Sequence, residues 1–165
     1  MAKLCLNPST RPDPYPNGGH EAYWMSRIAA AMEPKLESWG VAPASAEEEG
    51  CGLSLTLRSH AAPQEIEAKI KGAEVYYYAY SPAGKRAAEI FTQAIKSVYP
   101  EPALVESGPT PVPEELRTPK APALLVKLGY HDNPQDEAWL VNNVDAIAAA
   151  LARAAADFLG ASPHA

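Results

Sequence analysis

The stretch Pro122-Ala123-Leu124-Leu125-Val126-Lys127-Leu128-Gly129-Tyr130-His131-Asp132-Asn133 is an apolar strand with a single charge set inside it. Ala123 to Leu128 is opened by Pro122 and closed by Gly129, the pattern of a strand covered on both faces in an α/β sheet. Such sheets place their sites at the carboxyl ends of strands. Lys127 lies at that end, so chemistry, present or past, is expected there.

Working outward, Lys3 to Leu6 reads as a first strand, and Pro8 to Gly19 as a loop dense in Pro, Asn, Asp and Gly, a site candidate by its position. Met25, Ile28, Met32, Leu36 and Trp39 recur at helical spacing after Glu21. Gly40 is placed to cap this helix, and Pro34 is expected to kink it or limit its last turns. Val41 to Gly52, which contains Glu47-Glu48-Glu49, reads as a solvated loop. Leu53, Leu55 and Leu57 alternate with Ser54, Thr56 and Arg58 in a period-two strand whose second face carries Arg58 and His60.

Glu74 to Tyr80 is a tyrosine-rich strand, and Ser81-Pro82 caps and starts a helix with Ala87, Ile90, Phe91, Ala94 and Val98 inward. Pro109 to Pro122 reads as a proline-rich connector. Asn133-Pro134 repeats the cap and starts one last helix, carrying Leu140, Val144, Ile147, Leu151 and Phe158 toward Gly160. The alternation predicts a single α/β domain over residues 1–160, a mainly parallel twisted sheet flanked by helices, with 161–165 as a tail.

Composition narrows the function classes. The 165 residues, 47% of them hydrophobic, suffice for one domain with a core and fall short of two. A net charge of −6, with no run of about five Lys and Arg, argues against the basic face that nucleic acid requires. No signal-peptide core or bilayer-length apolar run is present, which predicts cytoplasmic synthesis without membrane insertion. Reaching any target outside the cytoplasm then needs a non-Sec route, such as lysis from within by a prophage system. Two distant cysteines define no disulfide framework, so Cys5 and Cys51 are expected as buried free thiols. Gly18-Gly19 alone makes no nucleotide loop, and no nucleophile elbow occurs.

Several segments, in order, carry a family likeness: Asn7-Pro8-Ser9-Thr10, Gly19-His20-Glu21-Ala22-Tyr23-Trp24-Met25, Gly72 to Tyr78, Ser81 to Arg86, Leu116-Arg117-Thr118, and His131-Asp132-Asn133-Pro134. Together they resemble the zinc-dependent N-acetylmuramoyl-L-alanine amidases that cut peptidoglycan between N-acetylmuramic acid and L-alanine. The resemblance implies the amidase, phosphorylase/hydrolase-like fold. Against that family the segment between the first helix and the next strand is short by roughly a helix, about a dozen residues.

A zinc hydrolase needs about three His, Glu or Asp ligands, an open position for water and a carboxylate to move protons. The resemblance places a zinc-binding Glu at Glu21, whose other reading is a first-turn acid favouring the helix dipole. It places a ligating His at Arg58, a guanidinium with no lone pair for a metal. The family's other His finds only Ser9 and Thr10. Substitute nitrogens are His131 first, then His60 and His20; their plain alternatives are a turn residue for His131 and a surface histidine for His60.

Lys127 occupies the place of the catalytic Glu and, as an ammonium, has no acceptor for a proton. Glu21, Arg58 and Lys127 are expected to form an ion-pair cluster filling a vacated metal site. Arg58, Tyr130 and Arg117 are candidate binding residues, with Tyr76 and Tyr78 either beside them in a cleft or in the core. Zinc is thus a possible cofactor or none is held, and peptidoglycan fragments or a protein partner are the expected ligands. Two functions follow, an amidase-like protein with lost or weakened activity, or an active divergent amidase with relocated ligands.

Overall fold

The computed structural model describes residues 2–45 and 48–161. The tail from residue 162, with His164, lies outside the described residues, as does Glu47 of the acidic run. The elements are β1 (Ala2–Pro8), α1 (Glu21–Ser38), β2 (Val41–Ala44), β3 (Leu53–His60), β4 (Ala73–Tyr78), α2 (Pro82–Lys96), β5 (Val105–Thr110), α3 (Glu114–Arg117), β6 (Ala123–Tyr130), α4 (Pro134–Asn142) and α5 (Val144–Phe158). They form a six-stranded sheet in the order β2-β1-β3-β6-β4-β5. β2, β1, β3 and β6 run parallel, while β4 opposes β6 and carries β5 parallel to itself. The sheet is therefore mixed, with its parallel majority as expected.

Period-two alternation sorts the side chains of β6 between two layers. Leu124, Val126 and Leu128 join the main core with Leu53, Leu55 and Leu57 of β3, under α1, α2 and α5. Ala123 and Leu125 point the other way and form a small cluster with Leu116 of α3, against which Tyr76 and Tyr78 pack. The two tyrosines thus belong to that minor layer. Since α3 is a single turn, it covers β6 and β4 and leaves the same face of β1 and β3 open.

Some local expectations change. Pro34 sits inside α1, which continues to Ser38, because Met32 and Leu36 on either side are fully buried and Pro34 itself is on the exposed face. Val41 to Ala44, read as loop, is the edge strand β2. Part of the proline-rich connector is β5, another edge strand, where Pro109 costs no central ladder bond. The last helix is broken at Asn143, whose Nδ2 donates to the Trp139 carbonyl at 2.8 Å. Among the described residues no helix is long and apolar enough to cross a membrane.

The cysteines are not free thiols. Cys5 of β1 and Cys51 just before β3 form a disulfide, with Cα atoms 5.7 Å apart. Sequence distance hid this, because the parallel pairing of β1 with β3 brings Leu4 level with Leu53. On a loop-entropy estimate, closing the 46-residue separation stabilises the fold by about 4 kcal/mol. Cys51→Ser is expected to lower the unfolding free energy by about 2–4 kcal/mol, and a reductant should do the same to the unmodified protein. Urea titration with and without reductant checks both.

Candidate functional site

The carboxyl ends of β1, β3 and β6, the start of β4 and the N-terminus of α1 meet at one edge of the sheet. Alternation divides that edge into two clusters, one on the helix-covered face and one on the open face. Gly129, at φ +87°, lets β6 turn out of its ladder into Tyr130 and His131, and a Cβ there would come within 3.1 Å of Asp136.

On the helix-covered face Glu21, 1% exposed, is held by hydroxyls. Ser9 Oγ donates to Glu21 Oε2, while Ser59 donates to Oε1 through its hydroxyl at 3.0 Å and its amide at 3.3 Å. Ser59 Oγ also receives the Tyr15 hydroxyl at 2.8 Å and lies 2.7 Å from His131 Nδ1. With its one proton on Glu21, Ser59 takes the His131 contact as an acceptor, so Nδ1 carries the hydrogen and Nε2 the lone pair. Burial pushes the His131 pKa down, and the ring stacks on Tyr15 with centroids 5.0 Å apart. The Tyr15 hydroxyl is pushed well above its usual value, chiefly by burial.

On the open face Arg58 and Lys127 are register partners on adjacent strands. Arg58 Nη1 pairs with Glu115 Oε1 of α3 at 3.2 Å. Lys127 makes no hydrogen bond or ion pair among the described residues, and its Nζ lies 5.5 Å from the Tyr76 ring centroid. Burial first, then the Arg58 charge, lower its pKa. Across the other ladder stands Glu74. Glu74 Oε1 lies 3.3 Å from His60 Nε2 and accepts the Tyr130 hydroxyl at 3.3 Å; the nearby His60 leads the causes that hold its pKa low. His60 stacks on Tyr130 at 4.5 Å, and burial followed by Glu74 raises the Tyr130 hydroxyl to about 12. Beside Arg58 opens a cavity of about 820 Å³ over β1 and β3, with Asn7, Ser54 and Thr56 on its floor.

The expected Glu21–Arg58–Lys127 ion-pair cluster does not form. Arg58 and Ser59 point to opposite faces, and Glu21 binds the Ser59 side. The structure brings His131 within 4.0 Å of Glu21 and leaves the other two histidines apart: His60 lies 3.3 Å from Glu74, and His20 caps α1 by accepting from the Tyr23 amide at 3.1 Å. Arg117 is exposed on α3 and lies outside the cavity lining. Ser59, Tyr15 and Glu74 were not singled out from the sequence. Ser, Tyr and Glu in strands and loops carry no signal until their neighbours are known.

These residues do not fit a zinc ion. Among the described residues no three His, Cys, Asp or Glu side chains converge, and the Glu21–His131 approach already spends its oxygens and Nδ1 on serine hydroxyls, while Glu74 and His60 form a separate pair on the other face.

The family model for N-acetylmuramoyl-L-alanine amidase matches residues 49–157. The chain belongs to this amidase family. Among solved structures it is similar to the amidase AmiC2 of Nostoc punctiforme, with TM-score 0.78 and 18% identity over 96% of this chain and 97% of that one. An N-acetylmuramoyl-L-alanine amidase from Clostridium difficile 630 superposes with TM-score 0.81 at 15% identity, over 97% of each chain. The CwlD amidase from Clostridioides difficile, determined in complex with the GerS lipoprotein, gives 0.80 at 15% identity, over 97% of this chain and 99% of that one. At these identities the likeness establishes the amidase fold. No curated protein sequence matches the chain significantly.

Two substitutions separate a structural edge from a metal-bound one. Glu21→Ala strands the Ser9 and Ser59 donors in a buried site and should cost about 2–4 kcal/mol. A chelator that destabilised the unmodified protein but not Glu21→Ala would instead make Glu21 a metal ligand. Lys127→Met removes one of two like charges facing each other across neighbouring strands and is expected to raise the unfolding free energy by up to about 1 kcal/mol. Urea midpoints of both variants decide.

Proposed function

We propose that this amidase-family protein engages peptidoglycan through a fold whose zinc hydrolase activity is lost or greatly weakened. The observation that carries the reading is the Arg58–Lys127 pair, two cations side by side where the resemblance puts a ligating histidine and a catalytic glutamate. A guanidinium offers no lone pair to a metal, and an ammonium cannot accept a proton from water. Their charge also repels a divalent cation from the strand ends. The Ser9–Glu21–Ser59–His131 network supports the same reading, since it satisfies the remaining acid with hydroxyls.

A second reading, an active divergent amidase, rests on the 4.0 Å approach of His131 to Glu21 and on the His131 Nε2 lone pair. It would need further ligands from outside this pair. Peptidoglycan fragments are the proposed ligand, and a protein partner, as CwlD has in GerS, is the other class that such a fold accommodates. The Cys5–Cys51 disulfide favours work outside a reducing cytoplasm, where such a bond persists and where peptidoglycan lies.

Elemental analysis after purification without chelator and re-equilibration with zinc, paired with release of soluble peptide from purified sacculi, tests this. Substoichiometric zinc, no peptide release and co-sedimentation with sacculi are the expected results. One zinc per chain with peptide release would replace this reading by the divergent amidase.

A further inference from the structure

The disulfide borders the open cavity. Cys5 faces it from β1, on the same side of the strand as Asn7, and Cys51 faces it from the segment before β3. Glu48, Glu49 and Gly50 line it beside Cys51, so the Cys5–Cys51 bond fastens this wall to the strand that forms the floor. Among the described residues little else holds the wall. The Lys3 side chain reaches the Glu49 carbonyl at 3.1 Å and the Glu48 carboxylate at 3.5 Å, and the Glu48 amide bonds to the Ser45 carbonyl at 3.2 Å. Ionic contacts open to water in this way contribute little. Glu48, Glu49 and Gly50 are exposed, Cys51 is half-buried, and none of the four belongs to a helix or strand.

The layer beneath is secured without the bond. β1 pairs with β2 on one side and β3 on the other, and Leu4 and Leu6 lie in the main core. Gly52 donates its amide to the Lys3 carbonyl at 2.9 Å and packs so closely on Leu159 that a Cβ would clash. Breaking the one S–S bond therefore frees Glu48–Cys51 and leaves the strands in place, a local opening rather than a global one. Position sets what is lost. Cys5 is level with Ser54, and Arg58 stands further along β3 by about 13 Å. The wall bounds the cavity end remote from Arg58, and a ligand long enough to fill both ends touches it.

We propose that the Cys5–Cys51 bond is a redox clamp on this cavity: the oxidised chain keeps the wall in place and binds peptidoglycan there, and the reduced chain releases the wall and loses that binding. The proposal rests on the peptidoglycan reading above and adds its regulation. The reductant is a dithiol. Its thiolate attacks the Cys51 sulfur, the more accessible of the two since Cys5 is 3% exposed. The S–S bond breaks, and the Cys5 sulfur leaves as a thiolate and takes a proton. The second thiol of the reductant then displaces Cys51 from the mixed disulfide, so that two electrons and two protons pass to the protein and the reductant becomes a disulfide. A chain held in a thiol-rich cytoplasm is thereby idle, and oxidation outside it completes the cavity.

Three preparations test this: the oxidised chain, the chain reduced with dithiothreitol, and Cys51→Ser. Reduction is expected to speed cleavage after Glu48 and Glu49 by a Glu-specific protease at least about tenfold, with the circular dichroism of the folded chain retained. Affinity for purified sacculi, read by co-sedimentation, should fall at least about tenfold on reduction and return with oxidised glutathione. Cys51→Ser should bind as weakly as the reduced chain and respond to neither reagent. Sedimentation that is equal in the two redox states overturns the clamp while peptidoglycan recognition stands. Loss of the folded dichroism on reduction makes the bond a staple of the whole fold and overturns the clamp as well. No sedimentation in either state overturns peptidoglycan recognition, and the regulation of that binding with it.

Discussion

The carboxylate of Asp136, 2% exposed, is the point on which this edge of the molecule depends. It accepts the Tyr99 hydroxyl and the amides of Gly72 and Tyr130, both at 2.9 Å. One side chain on α4 thereby ties the end of β6 to the start of β4 and to the segment after α2. Burial and this bond push the Tyr99 hydroxyl far above its ordinary pKa. The neighbouring acids extend the hold: Asp132 takes the amides of Ala62 and Ala68, and Glu137 takes the backbone and side chain of Asn17. Loops from three parts of the chain are thus pinned to His131–Glu137 by hydrogen bonds to carboxylates, which are stronger than neutral ones. His131 stands beside Ser59 because its neighbours are fixed in this way.

Strand alternation then decides what the pinned edge can do. Residues 58 and 59 are adjacent in sequence and belong to different layers, so Arg58 meets Glu115 and the cavity while Ser59 meets Glu21, Tyr15 and His131. The covered cluster is closed on itself, with each hydroxyl of its two serines given to Glu21. On the open face Arg58 borders the cavity, while Lys127 lies over Tyr76 with Glu74 across the ladder. The edge therefore keeps Glu21 turned inward among hydroxyls and sets Arg58 and Lys127 on the opposite face.

Much of the architecture was legible in single residues. Ser81-Pro82 and Asn133-Pro134 marked two helix starts, and the Leu53-Leu55-Leu57 alternation marked the inner face of β3, because capping and period two are local properties. The edge strands β2 and β5 were missed since Pro43 and Pro109 mimic loops and only pairing with a neighbour makes them strands. The break at Asn143 was missed because the apolar positions run on across it.

The site was legible in kind and illegible in arrangement. Lys127 inside an apolar strand and Arg58 at a strand end are chemical oddities that one line of sequence displays, and their inability to ligate a metal or take a proton follows from the groups themselves. Which charges face each other was decided only by the tertiary structure. It set Glu21 against Ser9 and Ser59, gave Arg58 to Glu115, joined Cys5 to Cys51 and placed Lys127 between Arg58 and Glu74 on neighbouring strands. The physical reason is one of range: element propensities depend on neighbours within a turn or two, whereas the Glu21–Ser59 hydrogen bond, the Cys5–Cys51 disulfide and the Arg58–Glu115 ion pair join positions 38, 46 and 57 residues apart, which only the tertiary fold brings together.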